Sequence, residues 1–259
     1  MIAVALTIAG SDPSGGAGLQ ADLKTFHQHG VYGMSVVTLL TVQNTQMVSQ
    51  VHIQTPALVL DQLDAVLTDI PPAAAKTGAL GSPEVIEALA ERAAGFEFPL
   101  VVDPVMISKH GARLIEQRAT EILIRHLMPC AFLITPNLHE AAALSGRAVE
   151  DQADMADAAR ALVDQGARNV LIKGGHLEGD AVDLLWTGGQ MHLLRSARLA
   201  TPHTHGTGCV YSAAITARLA RGEPLVDAVD GAKRFVTEAI RTHPGLGSGL
   251  GPTNLFAQP

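Results

Sequence analysis

The sequence predicts a three-layer αβα sandwich, with a mainly parallel central sheet and helices on both faces. Short apolar runs that read as buried strands alternate with amphipathic or Ala-rich helical stretches, the pattern of successive βα units. The joints carry Gly, Pro or polar clusters that break one period before the next begins. There is no internal repeat, linker or low-complexity block, so residues 1–259 read as one domain.

Val4 to Ala9 is the first strand. It runs into the loop Gly10-Ser11-Asp12-Pro13-Ser14-Gly15-Gly16-Ala17-Gly18, and a helix follows with Leu19, Leu23 and Phe26 on one face. The loop fits neither the dinucleotide nor the Walker spacing. It reads either as a tight βα turn or as backbone brought close to a ligand. Met34 to Val42 is a strand ending on Gln43-Asn44-Thr45-Gln46. Ligands of parallel sheets bind at the strands' carboxyl ends, so Gln43 is placed either to read a planar heterocycle or to cap a turn. Val48 to Ile53 reads as a short antiparallel or edge strand.

Leu60, Leu63, Leu67 and Ile70 mark an amphipathic helix stopped by Pro71-Pro72. Ala73 to Lys76 is a small-residue strand, and Ser82-Pro83 is an N-cap followed by a first turn. Leu100 to Val102 leads into Asp103, a carboxylate at a strand end and a candidate for Mg²⁺ or its waters. Arg118 to Met128 is helical, and Ala131 to Thr135 is a strand. Asn137 and Glu140 have capping-box spacing; the alternative is that both face the cleft and hold a hydrated metal. Asp151 to Gln165 is an Ala-rich helix. Val170 to Lys173 is a strand whose Lys173, beside two glycines, can reach a nucleotide phosphate. Ala181 to Trp186 and Met191 to Leu194 flank Gly188-Gly189, a hairpin signal.

The stretch Thr201 to Ala214 carries the chemistry. A strand is expected to end near Ala200 and a helix to start at Thr207 or Gly208. Gly206, Thr207 and Gly208 at that joint leave backbone N–H groups open to an anion, which the helix dipole favours. Cys209 follows, where a thiol at a helix N-terminus is expected to titrate below about 8.5. The alternative is a buried, inert cysteine. Two helices close the chain, to about Arg221 and from about Leu225 to Thr242. The Gly- and Pro-rich tail from Pro244 is expected to lie irregularly on the surface.

Composition narrows the function. Hydrophobic residues are 47% and charged residues 17%, the balance of a globular protein. A net charge of −7 argues against a nucleic-acid surface. No apolar run reaches the roughly 18 residues that span a bilayer, so no membrane partner is expected. Two cysteines form neither a metal motif nor a disulfide framework. With no leader pattern at the N-terminus, they fit a cytoplasmic location.

Seven blocks in order resemble one family: Ala9 to Phe26, Thr41 to Thr45, Ala75 to Gly78, Val101 to Met106, Thr135 to Ala141, Ile172 to His176 and His203 to Cys209. The chain resembles the hydroxymethylpyrimidine/phosphomethylpyrimidine kinases of thiamine biosynthesis, in the ribokinase-like superfamily. The resemblance implies an ATP- and Mg²⁺-dependent kinase, typically a homodimer, acting on a small aminopyrimidine alcohol and then on its monophosphate. It implies that Gly206, Thr207, Gly208 and Cys209 surround the transferred phosphoryl group, with Cys209 catalytic. Gln43, Asp22, Gly10, Ala17 and Val105 would line the pyrimidine pocket. Lys173, Asn137 and Glu140 would serve the nucleotide, and Asp103 and Glu140 would organise Mg²⁺ through water. One departure is Ala79, where the family usually carries a Met that would pack on the ring. Two other readings stand beside this one: a pyridoxal or pyridoxine kinase, and a non-catalytic pyrimidine sensor.

Overall fold

The structure is a computed structural model and describes residues 2–106, 117–175 and 179–259. Among these residues nine strands form one sheet in the order β3-β2-β1-β4-β5-β6-β7-β8-β9. They are β1 (Val4–Ser11), β2 (Tyr32–Gln43), β3 (Val48–Ile53), β4 (Ala74–Thr77), β5 (Leu100–Val102), β6 (Leu133–Ile134), β7 (Val170–Ile172), β8 (Ala181–Thr187) and β9 (Gln190–Ser196). Strands β2, β1, β4, β5, β6 and β7 are mutually parallel. The edges are antiparallel: β3 on β2, and β8 and β9 beyond β7. The expected sandwich is therefore present. Gly188 and Gly189, at φ 56° and 75°, supply the positive-φ pair that the β8–β9 hairpin needs.

Period-2 alternation assigns β1 to two cores. Leu6 and Ile8 join the core under α2 (Pro56–Asp69), α3 (Pro83–Ala93), α5 (Leu138–Ser145) and α6 (Gln152–Asp164). Ala5 joins the core under α1 (Gly18–Gln28), α7 (Thr207–Ala220) and α8 (Leu225–Arg241). On that second face Ala213, Ala214 and Ala217 of α7 meet Ala5 and Ala74 of the sheet. Small residues on both sides bring helix and sheet close, which places the N-terminus of α7 over the ends of β1, β4 and β5.

Local signals act as their chemistry dictates. Thr55, Ser82, Asn137 and Asp151 each cap a helix with a side-chain oxygen. The helix expected over Arg118 to Met128 is α4 (Gln117–Ile122), then a π turn over Leu123–Leu127 and a 3₁₀ turn over Met128–Cys130. Proline at 129 has no N–H to continue the α ladder. Within α2, Val59 and Leu63 are buried, while the expected Ile70 lies exposed just past the helix end.

Two expectations are corrected. The strand expected to end near Ala200 is β9, which ends at Ser196, and an extended loop carries the chain on to Gly206. The tail is not a surface appendage. Gly251 O accepts from His205 N at 3.1 Å, Leu250 N donates to Thr45 O at 2.7 Å, and Ala257 is buried in the α7–α8 core.

Candidate active site

A cleft of about 850 Å³ opens at the carboxyl ends of the parallel strands. From β1 the chain passes through α1 to β2 on one side, then through α2 to β4 on the other. Strand order thus reverses between β1 and β4, where open α/β sheets bind ligands. The Gly10 loop, Gln43, Ala79 and Val105 line one end of the cleft. Lys173, Asn137 and the 196–201 loop line the other, and the start of α7 lies between them.

Gly206 is the N-cap of α7 at φ 76°. A Cβ there would lie 1.9 Å from Gly16 O, so only glycine allows the turn to seat against the first loop. Thr207 Oγ1 donates to Thr204 O at 2.7 Å, Thr207 N to the same oxygen at 3.3 Å, and Val210 N to Gly206 O at 2.8 Å. Among the described residues, the N–H groups of Gly208 and Cys209 have no protein acceptor. A Cβ on Gly208 would sit 3.3 Å from Lys173 Nζ, which puts an ammonium over the open amides. Two free amides, a dipole end and a cation make an anion cradle.

Lys173 Nζ donates to Asp103 Oδ1 at 2.9 Å. Thr135 Oγ1 donates to that same oxygen, and Ser212 Oγ to Oδ2, both at 3.2 Å. Burial alone would raise the Asp103 carboxyl, but the Lys173 and Lys76 ammoniums hold it below its usual value. Glu140 forms the capping box with Asn137: each accepts the other's backbone N–H, at 2.8 and 2.9 Å. The structural reading of that pair is therefore realised, and both residues also line the cleft. Burial pushes Glu140 up to about 7 against the pull of Lys173.

Cys209 lies half-buried at the base of the cradle. Its expected low titration point is corrected. Burial pushes the thiol up to about 11, and the Lys76 charge and the Gly18 N–H offset only part of that. The helix N-terminus is outweighed because the sulfur sits in low dielectric near Asp22 and Asp103.

Beneath the cleft, Lys76 Nζ donates to Asp22 Oδ1 at 2.8 Å, and Thr7 Oγ1 donates to Oδ2 at 2.6 Å, with all three residues fully buried. Burial would lower Lys76, but the Asp22 carboxylate and its neighbours keep it protonated. Asp22 thus meets the cleft with both oxygens already engaged. Asp12 gathers the first loop: Oδ1 accepts from Ser14 N and Oγ, and Oδ2 from Gly16 N, Ala17 N and His205 Nε2.

Lys76, Asp12 and His205 received no role from the sequence. A lysine at the end of an Ala-rich strand was a visible signal. The Asp12–His205 pair spans 193 positions and left none. His176, quoted in the sixth block, lies outside the described residues. Among the described residues no group of three metal-ligating side chains gathers. The carboxylates of Asp103 and Glu140 beside the cradle nonetheless fit a hydrated Mg²⁺, which takes one or two carboxylates and fills its shell with phosphate oxygens and water.

Fold and cradle together define an α/β phosphate-handling protein. The model of the phosphomethylpyrimidine kinase family matches residues 12–254, and the chain belongs to that family. It is 48% identical over 257 residues to the hydroxymethylpyrimidine/phosphomethylpyrimidine kinase of Synechococcus elongatus, covering 98% of each chain. It is 51% identical over 251 residues to the thiamine biosynthesis bifunctional protein ThiED of Geobacter sulfurreducens; the match takes in 96% of this chain and about half, 51%, of that longer protein. The crystal structure of an ADP complex of Bacillus subtilis pyridoxal kinase superposes with a TM-score of 0.92 at 39% identity, covering 99% of this chain and 98% of that one. A place in a kinase family decides against the non-catalytic sensor. No helix among the described residues is long and apolar enough to cross a membrane.

Proposed function

We propose that this chain transfers the γ-phosphoryl group of ATP to the hydroxymethyl oxygen of 4-amino-5-hydroxymethyl-2-methylpyrimidine, and then a second one to the monophosphate, giving the diphosphate. The observation that carries this is the pair of unengaged amides at Gly208 and Cys209 beneath the Lys173 ammonium. Phosphoryl transfer passes through a loose transition state in which positioning and charge stabilisation do most of the work. The alcohol oxygen attacks phosphorus, the bond to the β–γ bridging oxygen breaks, ADP leaves, and the alcohol's proton passes to an oxygen of the transferred phosphoryl group and on to solvent. The turn from Gly206 to Cys209 holds the migrating group, and Lys173 offsets its charge. The Cys209 thiol, protonated at neutral pH, orients the acceptor hydroxyl without taking its proton, and a loose transition state asks little of a base.

Gln43, the Gly10 loop, Ala17 and Val105 hold the ring at one end, and Asp22 acts through Lys76. Asn137 and Glu140 serve the nucleotide end, and Asp103 and Glu140 would hold Mg²⁺ through water. Bound there, Mg²⁺ supplies charge neutralisation on the phosphates. The ADP complex of the structural relative supports ATP as donor. We further place the chain as a single kinase domain, cytoplasmic, working as a homodimer. The exposed Leu40, Val42, Val51 and Ile53 at the β2–β3 edge support the dimer.

Ala79 favours a second reading. It lines the cleft where the family's Met would fill space, and the resulting room suits a pyridoxal-type ring. One assay tests both readings. Supply ATP, Mg²⁺ and either the aminopyrimidine alcohol, its monophosphate or pyridoxal, and follow the phosphorylated product. Diphosphate from both pyrimidines is the expected result; turnover of pyridoxal alone would replace the reading with the second.

A further inference from the structure

We infer that His205, held by Asp12, sets which end of the Gln43 carboxamide faces the cleft. This makes His205 a positioning residue for ring recognition. The inference rests on the proposed function only for the identity of the ring.

His205 Nε2 stands 2.8 Å from Asp12 Oδ2 and 3.2 Å from the terminal nitrogen of Gln43. The two contacts cannot both be hydrogen bonds as drawn. Asp12 accepts on both oxygens: Ser14 N at 2.9 Å and Ser14 Oγ at 2.7 Å on Oδ1, Gly16 N at 3.2 Å and Ala17 N at 2.9 Å on Oδ2. Burial opposes its ionisation, yet the His205 and Ser14 hydrogen bonds hold it below its usual range, so it brings no proton of its own. The 2.8 Å contact therefore requires a hydrogen on His205 Nε2. A protonated ring nitrogen has no lone pair left. The Gln43 atom that faces it must be an acceptor, the carbonyl oxygen.

Oxygen and nitrogen of a carboxamide exchange without moving a heavy atom, and their assignment follows from the network. In the consistent network His205 Nε2–H is shared between Asp12 Oδ2 and Gln43 Oε1, and the Gln43 NH₂ is turned to the cleft. The ring of His205 has no room to turn away. Its backbone N–H is tied to Gly251 O at 3.1 Å, and its Cδ2 lies so close to Gly16 that a Cβ there would sit 2.9 Å away. The chain thus presents a fixed N–H donor to an in-plane lone pair, which selects a heteroaromatic ring with an acceptor nitrogen. The second lone pair of Oε1 remains for an exocyclic amino group beside that nitrogen.

The first test uses the ligand-free protein and does not depend on its function. Long-range ¹H–¹⁵N correlation reads the His205 tautomer, and nuclear Overhauser contacts locate the Gln43 NH₂. We expect Nε2 protonated and no contact from the Gln43 NH₂ to the His205 ring hydrogens. An unprotonated Nε2, or a strong contact, overturns the assignment. The second test is kinetic. His205→Leu is expected to raise KM for the aminopyrimidine alcohol about 10-fold or more, with KM for ATP within about twofold, and His205→Gln to restore it, since its amide keeps an N–H near the same place. A fall in kcat with both KM values unchanged would mark His205 as merely structural. If the wild-type protein fails to turn over the pyrimidine, the functional reading fails while the spectroscopic result stands.

Discussion

At Cys209 two opposing effects meet on one sulfur. The helix N-terminus favours the thiolate, and burial near two carboxylates disfavours it by more, so the thiol rises to about 11. Between pH 6 and 9 the thiol therefore stays protonated, and kcat should show no inflection that disappears in Cys209→Ala. That variant should lower kcat at saturating substrate by roughly 10- to 100-fold, the cost of a misplaced acceptor. Wild-type kcat in Cys209→Ala would remove the thiol from the chemistry, and an inflection that the variant abolishes would restore it as a base. Residues in short-range arrangements were legible from the sequence: Asn137 and Glu140 sit three apart, and that spacing alone specifies the capping box. The titration of Cys209 was not, because it depends on burial and on the charges of Lys76, Asp22 and Asp103, which arrive from distant parts of the chain.

Among the elements, α7 shows how glycine sets a site by what it lacks. Its N-cap has no capping side chain, and the turn is held by Thr204 and by close contact with the first loop. Gly206 and Gly222 have similar positive φ, 76° and 82°, but a Cβ on Gly222 meets nothing within 4 Å. Gly222→Ala should cost about 1 kcal/mol, the strain of φ alone. Gly206→Ala adds a backbone collision and should lower Tm by roughly 5 °C or more beyond that, with loss of phosphoryl transfer. Equal thermal shifts in the two variants would refute the interlock between α7 and the first loop. The strands and helices themselves were readable because apolar periodicity and end signals are local. The loop from β9 to α7 was not, because residues 197–206 have no repeat to betray whether they pair.

Over the whole molecule the C-terminal segment folds back to the rim of the cleft. Gly251 and Pro252 hold the backbone of His205, and Leu250 holds Thr45 beyond the end of β2. Removing residues 250–259 should lower Tm and raise KM for the ring substrate several-fold more than KM for ATP, because the lost contacts lie at the ring end. An equal rise in both would place the tail's effect on global stability alone. Glycine and proline carry no periodicity, so the sequence offered only a surface tail here. The layered architecture, by contrast, followed from strand–helix alternation alone.

The central position of β1 also bears on how the protein is made. Val4–Ser11 is synthesised long before α7, which completes, beside α1, the cover over one of its faces and does not begin until Thr207. At 5–20 residues per second, translation leaves this apolar ribbon only partly roofed, by α1, for roughly 10–40 s. A nascent chain of this design must be sheltered by chaperones or by provisional collapse until α7 has been synthesised and can fold down onto it.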